Sequence, residues 1–290
     1  MQPARIGLIQ INIAVILLGG TTLFAKLVEL PPPTIVMFRG VFGAAALLLI
    51  IKLLRQTVLL KDAVKYATVI VSGLLMGVHW VTFFHSIQVT SVAIGIVSMY
   101  TFPVITSFIE PLVNREKLRL ADIISAFIVL LGIYFILPKI DLSNQVVQGV
   151  LWGVFSAFLL SCRNIVVRKS LGDIPGTVIM FYQLLITALI LLPFADYSHE
   201  LFEKNHMQLL VLLGIVFTAL PHTLFVSSLK HLRATSASLI SCMQPMYSTL
   251  LAFLVLGDKP EGGVILGGLL VVGAAVYESA KNLFSVDNSK

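Results

Sequence analysis

The sequence predicts an all-α polytopic membrane protein with ten transmembrane helices, arranged as two inverted five-helix repeats. Three observations carry that expectation. Of the 290 residues, 58% are hydrophobic and 12% charged, whereas a soluble domain carries about 25% charged residues. Ten apolar runs follow one another with connections too short to hold a soluble domain. A single offset then lays the second half of the chain on the first.

A bilayer core about 30 Å thick takes roughly 20 apolar residues as a helix, and fewer where neighbours pack tightly. The runs are 6–27, 34–52, 64–84, 91–113, 121–137, 147–167, 177–194, 207–228, 234–256 and 263–279. The first follows Arg5 and ends near Phe24-Ala25-Lys26. It is too long for a secretory h-region and lacks an A-x-A site, so it reads as a span. The second begins on PPPTIVMFRG and places Arg39 two turns in; the third contains His79; the fourth carries Pro103 and Glu110. The sixth carries Arg163, the seventh begins on GDIPGTVIMFYQ and the eighth holds His222. The ninth bears Ser238, Ser241, Gln244 and Ser248 at helical spacing, one polar stripe. Gly73 and Gly77, Gly149 and Gly153, and Gly263 and Gly267 form G-x-x-x-G spacings that let helices approach closely. The last pair is the candidate surface for a homodimer.

Lysine and arginine bias in short loops sets orientation. With the N-terminus in the cytoplasm, fifteen of the twenty basic residues fall on the inner side and four on the outer, with Arg39 within a span. Both termini are therefore expected in the cytoplasm, in the inner (plasma) membrane. The net charge of +6 is spread over short loops, which gives nucleic acid no clustered face. Cys162 and Cys242 lie in apolar runs and read as small filler.

A shift of 143 residues lays Lys26 on Lys169, Pro32 on Pro175, Thr34 on Thr177, Met37 on Met180 and Phe38 on Phe181. A shift of 142 lays Pro103 on Pro245, Glu116 on Asp258 and Lys117 on Lys259. The halves divide at 1–145 and 146–290. Five spans are an odd number, so the second half enters the membrane upside down. Inverted repeats mark secondary transporters, whose site lies near the midplane between the repeats.

With Pro103 to Glu116, Pro245 to Asp258 and Arg39 in the second span, the chain resembles the drug/metabolite transporter superfamily, in its EamA-type ten-helix branch. Two positions depart from the pattern: Arg115 stands where a small residue is usual, and Asp258-Lys259-Pro260 replaces the commoner ending of the ninth span. The resemblance implies a central cavity walled by helices 1–4 and 6–9, with helices 5 and 10 outside. Family substrates include amino acids, sugars, nucleotide derivatives, vitamins and drugs.

Ionisable groups inside a bilayer are functional candidates by default. Arg39 lies roughly 9 Å in from Pro33 at 1.5 Å per residue. It either reaches back to the outer interface, faces the cavity to hold a carboxylate or phosphate, or ties loop carbonyls. His79 and His222, related by the repeat offset, are candidates for proton coupling or substrate contact, against the reading of histidines satisfied by a neighbouring helix. Ser241 and Gln244 line the cavity or bond between helices. Trp80, Tyr100, Tyr182 and Tyr247 are candidate cavity walls. Glu110 reads as a gate with Arg115 or Arg163, or as a proton carrier, and Arg163 as a side chain reaching for the inner interface. No phosphate loop, H-E-x-x-H helix or G-x-S-x-G turn occurs, so no enzyme, cofactor or metal is expected. Beside the small-molecule substrate and the lipid bilayer, the implied partner is a proton or a counter-substrate. A drug exporter, an importer of nucleotide-derived metabolites, a channel and an intramembrane enzyme are the competing readings.

Overall fold

The computed structural model describes residues 3–115, 117–118, 120–137, 143–202, 205–228 and 240–287. Its apolar helices are α1 (Arg5–Leu27), α2 (Pro32–Leu53), α3 (Ala63–Val89), α4 (Val92–Asn114), α5 (Leu120–Ile136), α6 (Gln145–Ser170), α7 (Gly176–Phe194), α8 (His206–Phe225), α9 (Gln244–Leu256) and α10 (Gly262–Asp287). These overlie the ten expected spans, the ninth only in its described part, since residues 234–239 of that span lie outside the described residues. Ser238 and Glu116 lie outside the described residues.

Local chemistry starts the helices where the sequence changes character. Pro32 occupies the first turn of α2, where a missing N–H costs nothing. Asp62, Ser91 and Asn144 cap α3, α4 and α6 by accepting from the amides of Lys65, Ile94 and Val146, which satisfies donors the helices leave open.

Each half packs the same way. α3 lies along α6 as α8 lies along α1; α4 meets α6 as α9 meets α1; α3 meets α7 as α8 meets α2. The pairs α2–α7, α4–α9 and α5–α10 are each their own counterpart. Exchanging α1–α5 for α6–α10 therefore reproduces the packing, as two inverted repeats require. The residues that start α1 and end α10 share one face of the bundle, here called the terminal face.

The glycine spacings are used within the chain. Gly73 and Gly77 receive Ile186 and Thr187 of α7, and Gly149 and Gly153 receive Thr90 and Ser98. Gly263 and Gly267 lie against the carbonyls of Phe135 and Gly132 in α5. The last pair is thus packed within the chain, against α5.

Candidate functional site

Among the described residues the apolar spans are interrupted within α1, α4 and α8 and just before α9, and prolines explain most of the pattern. A proline has no N–H to give the carbonyl four residues earlier. Just before α9 the chain turns at Cys242–Met243, and Pro245 in the first turn of α9 leaves Ser241 O without its helical donor. The Tyr100 hydroxyl donates to that carbonyl at 2.6 Å and lies 3.2 Å from Gln244 Oε1. Tyr100 itself stands at the matching interruption of α4, just before Pro103. The two breaks thus meet face to face across the halves.

In α8, Pro221 leaves Phe217 O free, and the preceding residues Ile215–Ala219 form a π-helical turn. Thr21, at the interruption of α1, donates to Phe217 O at 2.8 Å. The same stretch of α1 accepts from α9: Gln244 Nε2 reaches Leu18 O at 3.3 Å and Ser248 Oγ reaches Gly19 O at 3.2 Å. Gly20 has no Cβ because Phe217 fills the space one would need. Polar backbone inside a membrane persists where protein or a wet cavity satisfies it.

Arg39 sits beside this crossing. It is 2% exposed, which excludes a side chain reaching back to the interface. Its Nε donates to Thr218 Oγ1 at 2.8 Å. Thr218 in turn donates to Leu213 O at 2.7 Å, a bond across five residues that the π-turn permits, so a hydroxyl lone pair is left for Arg39. The guanidinium lies 4.1 Å from the Trp80 ring centre and 5.8 Å from that of Phe84, a cation–π arrangement. Its Nη1 is buried with no hydrogen-bond partner.

One turn of α3 presents His79 next to Trp80. Nδ1 lies 3.0 Å from Ser156 O and 2.7 Å from Ser156 Oγ, while that hydroxyl donates to His79 O at 2.9 Å. With the hydroxyl proton committed, Nδ1 carries the ring proton and donates to Ser156 O, which leaves Nε2 the acceptor in the neutral ring. His79 is therefore tied to a neighbouring helix through one nitrogen. His222 is half-buried in α8, about one turn beyond Thr218.

Arg163 corrects its expectation. It does not reach for an interface: Nη1 donates to Asn164 Oδ1 at 2.9 Å, and Nη2 donates to Gln183 Oε1. Gln183 is fully buried and donates through Nε2 to Ser72 Oγ at 3.1 Å. Glu110 also differs, since its partner is Arg168 rather than Arg115 or Arg163. Tyr182 is not beside Arg39. It lies two turns into α7 near the terminal face, donates to Val58 O at 2.8 Å and meets Tyr66 edge-on. Tyr247 packs on α1 in a small cluster with Ile11 and Val15.

The structure thus brings Arg39 onto Trp80, the neighbour of His79 in α3, and brings Tyr100 onto Ser241 and Gln244. His222 lies in α8 beyond Thr218, with no hydrogen bond or ring contact to either group among the described residues. Thr218, Ser156, Gln183 and Thr21 join them without having been signalled by the sequence. Thr218 and Thr21 had one legible clue, Pro221, which must free a carbonyl in their neighbourhood.

The sequence model of the EamA-like transporter family matches residues 5–137 and again 147–277. The chain belongs to the EamA-like transporter family. Among individual relatives, an uncharacterized inner membrane transporter of Salmonella typhimurium is 21% identical over 96% of this chain and 97% of its own. An uncharacterized transporter of Clostridium kluyveri is 23% identical over 61% of this chain, and the match spans 60% of that relative's length. The pseudopaline exporter of Pseudomonas aeruginosa is 24% identical over 46% of this chain and 49% of its own. A solved crystal structure shares the fold, with a TM-score of 0.66 and 19% identity over 99% of both chains. As an EamA-family protein the chain is a multi-pass membrane protein, and membrane transport is its function class.

Proposed function

We propose that this protein is a secondary active transporter that moves a small organic metabolite, such as an amino acid or a related polar or amphipathic solute, by alternating access. The observation that carries the reading is the meeting of the two proline-interrupted helices, α4 and α9, at Tyr100 and Ser241. Discontinuous helices in corresponding places of inverted repeats build substrate sites near the midplane. Here they lie beside α1 and α8, whose own interruptions are joined through Thr21. The bonds that join the breaks, Tyr100 to Ser241 O and Thr21 to Phe217 O, run from side chains to freed carbonyls, so one can release while another forms without breaking a continuous helix.

The terminal face is the cytoplasmic one in this reading, supported by fifteen basic residues on that side against four on the other. The membrane is then the inner (plasma) membrane, and the driving partner is a proton or a counter-substrate.

The test is counterflow in proteoliposomes loaded with candidate solutes, chosen by a thermal-shift screen in which a ligand of the folded state raises apparent stability. Saturable uptake stimulated by the same solute inside supports the reading. Flux that rises linearly with concentration and shows no trans-stimulation would assign a channel instead.

A further inference from the structure

We infer that the solute is an organic anion with an apolar body, and that Arg39 and Arg163 are the groups that hold its charge on its way between the two faces. The inference rests on the transport reading above and sharpens its substrate class.

The first observation is an imbalance of charge. Arg39 and Arg163 keep their guanidinium charge in proteins, yet the ion pairs among the described residues are Lys61–Asp173, Lys65–Asp173 and Arg168–Glu110. All three lie at the terminal face, and none includes Arg39 or Arg163. A buried charge without a counter-charge is expensive; Arg39 is buried and Arg163 half-buried, and with no described carboxylate beside either they leave a demand for negative charge.

The second observation is the donor geometry. Arg39 spends Nε on Thr218, and Nη1 is buried without a partner. Its Nη1–Nη2 end makes no hydrogen bond to a described residue, which is the end a carboxylate accepts from in a paired arrangement. Arg163 repeats the pattern with the other edge: its two terminal nitrogens are engaged by Asn164 and Gln183, and Nε is buried with no partner.

The third observation is position. Arg39 lies seven residues from the start of α2 and Arg163 seven from the end of α6, so each is about 10 Å from its own face at 1.5 Å per residue. The two charges flank the midplane from opposite sides. An anion leaving one finds the next ahead of it, which keeps it bound without letting either site hold it permanently. The surroundings of Arg39 are aromatic, with Trp80 beneath its guanidinium and Phe83 stacked on the neighbouring His79. That favours a carboxylate on an apolar body over a bare inorganic ion. No described carboxylate meets either arginine, so a solute ammonium would find repulsion and no counter-charge.

The chain has two tryptophans. Trp152 is 41% exposed on the outside of the bundle, so Trp152→Phe leaves Trp80, in contact with Arg39, as the one reporter. Purified Trp152→Phe protein is titrated with phenylacetate, phenylpyruvate, phenylalanine and phenylacetamide while tryptophan emission is followed. Saturable changes are expected for phenylacetate and phenylpyruvate, a weaker one for phenylalanine and none for phenylacetamide. Adding Arg39→Gln should weaken the acids by about ten- to a hundredfold, the loss of a hydrogen bond to a charged group, and Arg39→Lys by less. If that variant does not fold, the acid-to-amide comparison on the unmutated site still decides. Equal binding of acid and amide, phenylalanine binding more tightly than phenylacetate, or no saturable change with either acid, overturns the inference. The transport reading fails separately: acids that bind at Trp80 but show no counterflow sink transport and leave the anion site standing. Counterflow of an uncharged or cationic solute, undiminished by Arg39→Gln, does the reverse.

Discussion

Arg39 shows how much of one residue can be read from a sequence. A charge at the centre of a span costs about 2.5–3.5 kcal/mol on the insertion scale, so its presence in an apolar run marked it at once. Which way it turns was undetermined, because the same stem length reaches an interface or the interior. The structure resolves this through Thr218: Pro221 signals a freed carbonyl nearby, but a lone threonine in an apolar run carries no sign that its partner is Arg39. Gln183 was hidden for the same reason, although it ends the very stretch, GDIPGTVIMFYQ, that revealed the repeat. Thr218→Val should lower thermal stability by about 1–3 kcal/mol, the cost of leaving a buried charged donor unmet, while Thr218→Ser stays near the parent. Equal unfolding temperatures for the two variants would mean that the Arg39–Thr218 bond is incidental. His222 and Gln244 are the other residues on which transport should depend. His222→Ala and Gln244→Ala are expected to reduce counterflow with folded yield unchanged, and parental uptake kinetics in both would remove them from the site.

At the scale of elements, the prolines were legible and their consequence was not. Pro103 and Pro245 fixed the repeat offset, but the carbonyl that Pro245 frees finds its donor on a helix of the other half, a relation that exists in three dimensions alone. Pro245→Ala restores an N–H for Ser241 O, in competition with the Tyr100 hydroxyl. Transport should fall while the unfolding temperature holds or rises; an unchanged transport rate would show that the interruption is not a working part. The close approach of α5 and α10 makes a simpler test. A Cβ at Gly267 would overlap Gly132 O, so Gly267→Leu should cost about 1–3 kcal/mol by overpacking, measured by thermal unfolding in detergent. A neutral result would mean that the α5–α10 contact yields more readily than this packing implies.

For the whole molecule, the inverted architecture was legible because matched prolines and lysines survive in sequence. The contacts that close the terminal face were not, because they join residues between about sixty and about one hundred and twenty positions apart. There Lys61 and Lys65 pair with Asp173, Gln56 Oε1 accepts from Thr177 at 2.6 Å, and Glu110 pairs with Arg168. Every one of these links the first half to the second. The Lys65 hydrogen bond holds the Asp173 carboxyl below its usual range. A depressed carboxylate contributes its stabilisation above the free-acid value near 3.9 and loses it as pH falls through the lowered one. Between about pH 5.5 and 8 the pairing is therefore constant, and Asp173→Asn should change the balance of conformations without changing its pH dependence over that interval. Raised salt should mimic the substitution, since exposed pairs are screened. A pH profile altered by Asp173→Asn within that interval would contradict this assignment.

Alternation between the two faces is the claim on which the rest depends, and spin-label distances measure it directly. With Cys162 and Cys242 replaced by serine, one label pair goes on Lys61 and Lys169 at the terminal face, and another on Glu29 and Lys259 at the opposite face, all four exposed. The account predicts opposed distributions: conditions that lengthen one pair shorten the other, and Asp173→Asn shifts both in opposite senses. Two faces that widen together, or neither changing under any solute or salt condition, would contradict it.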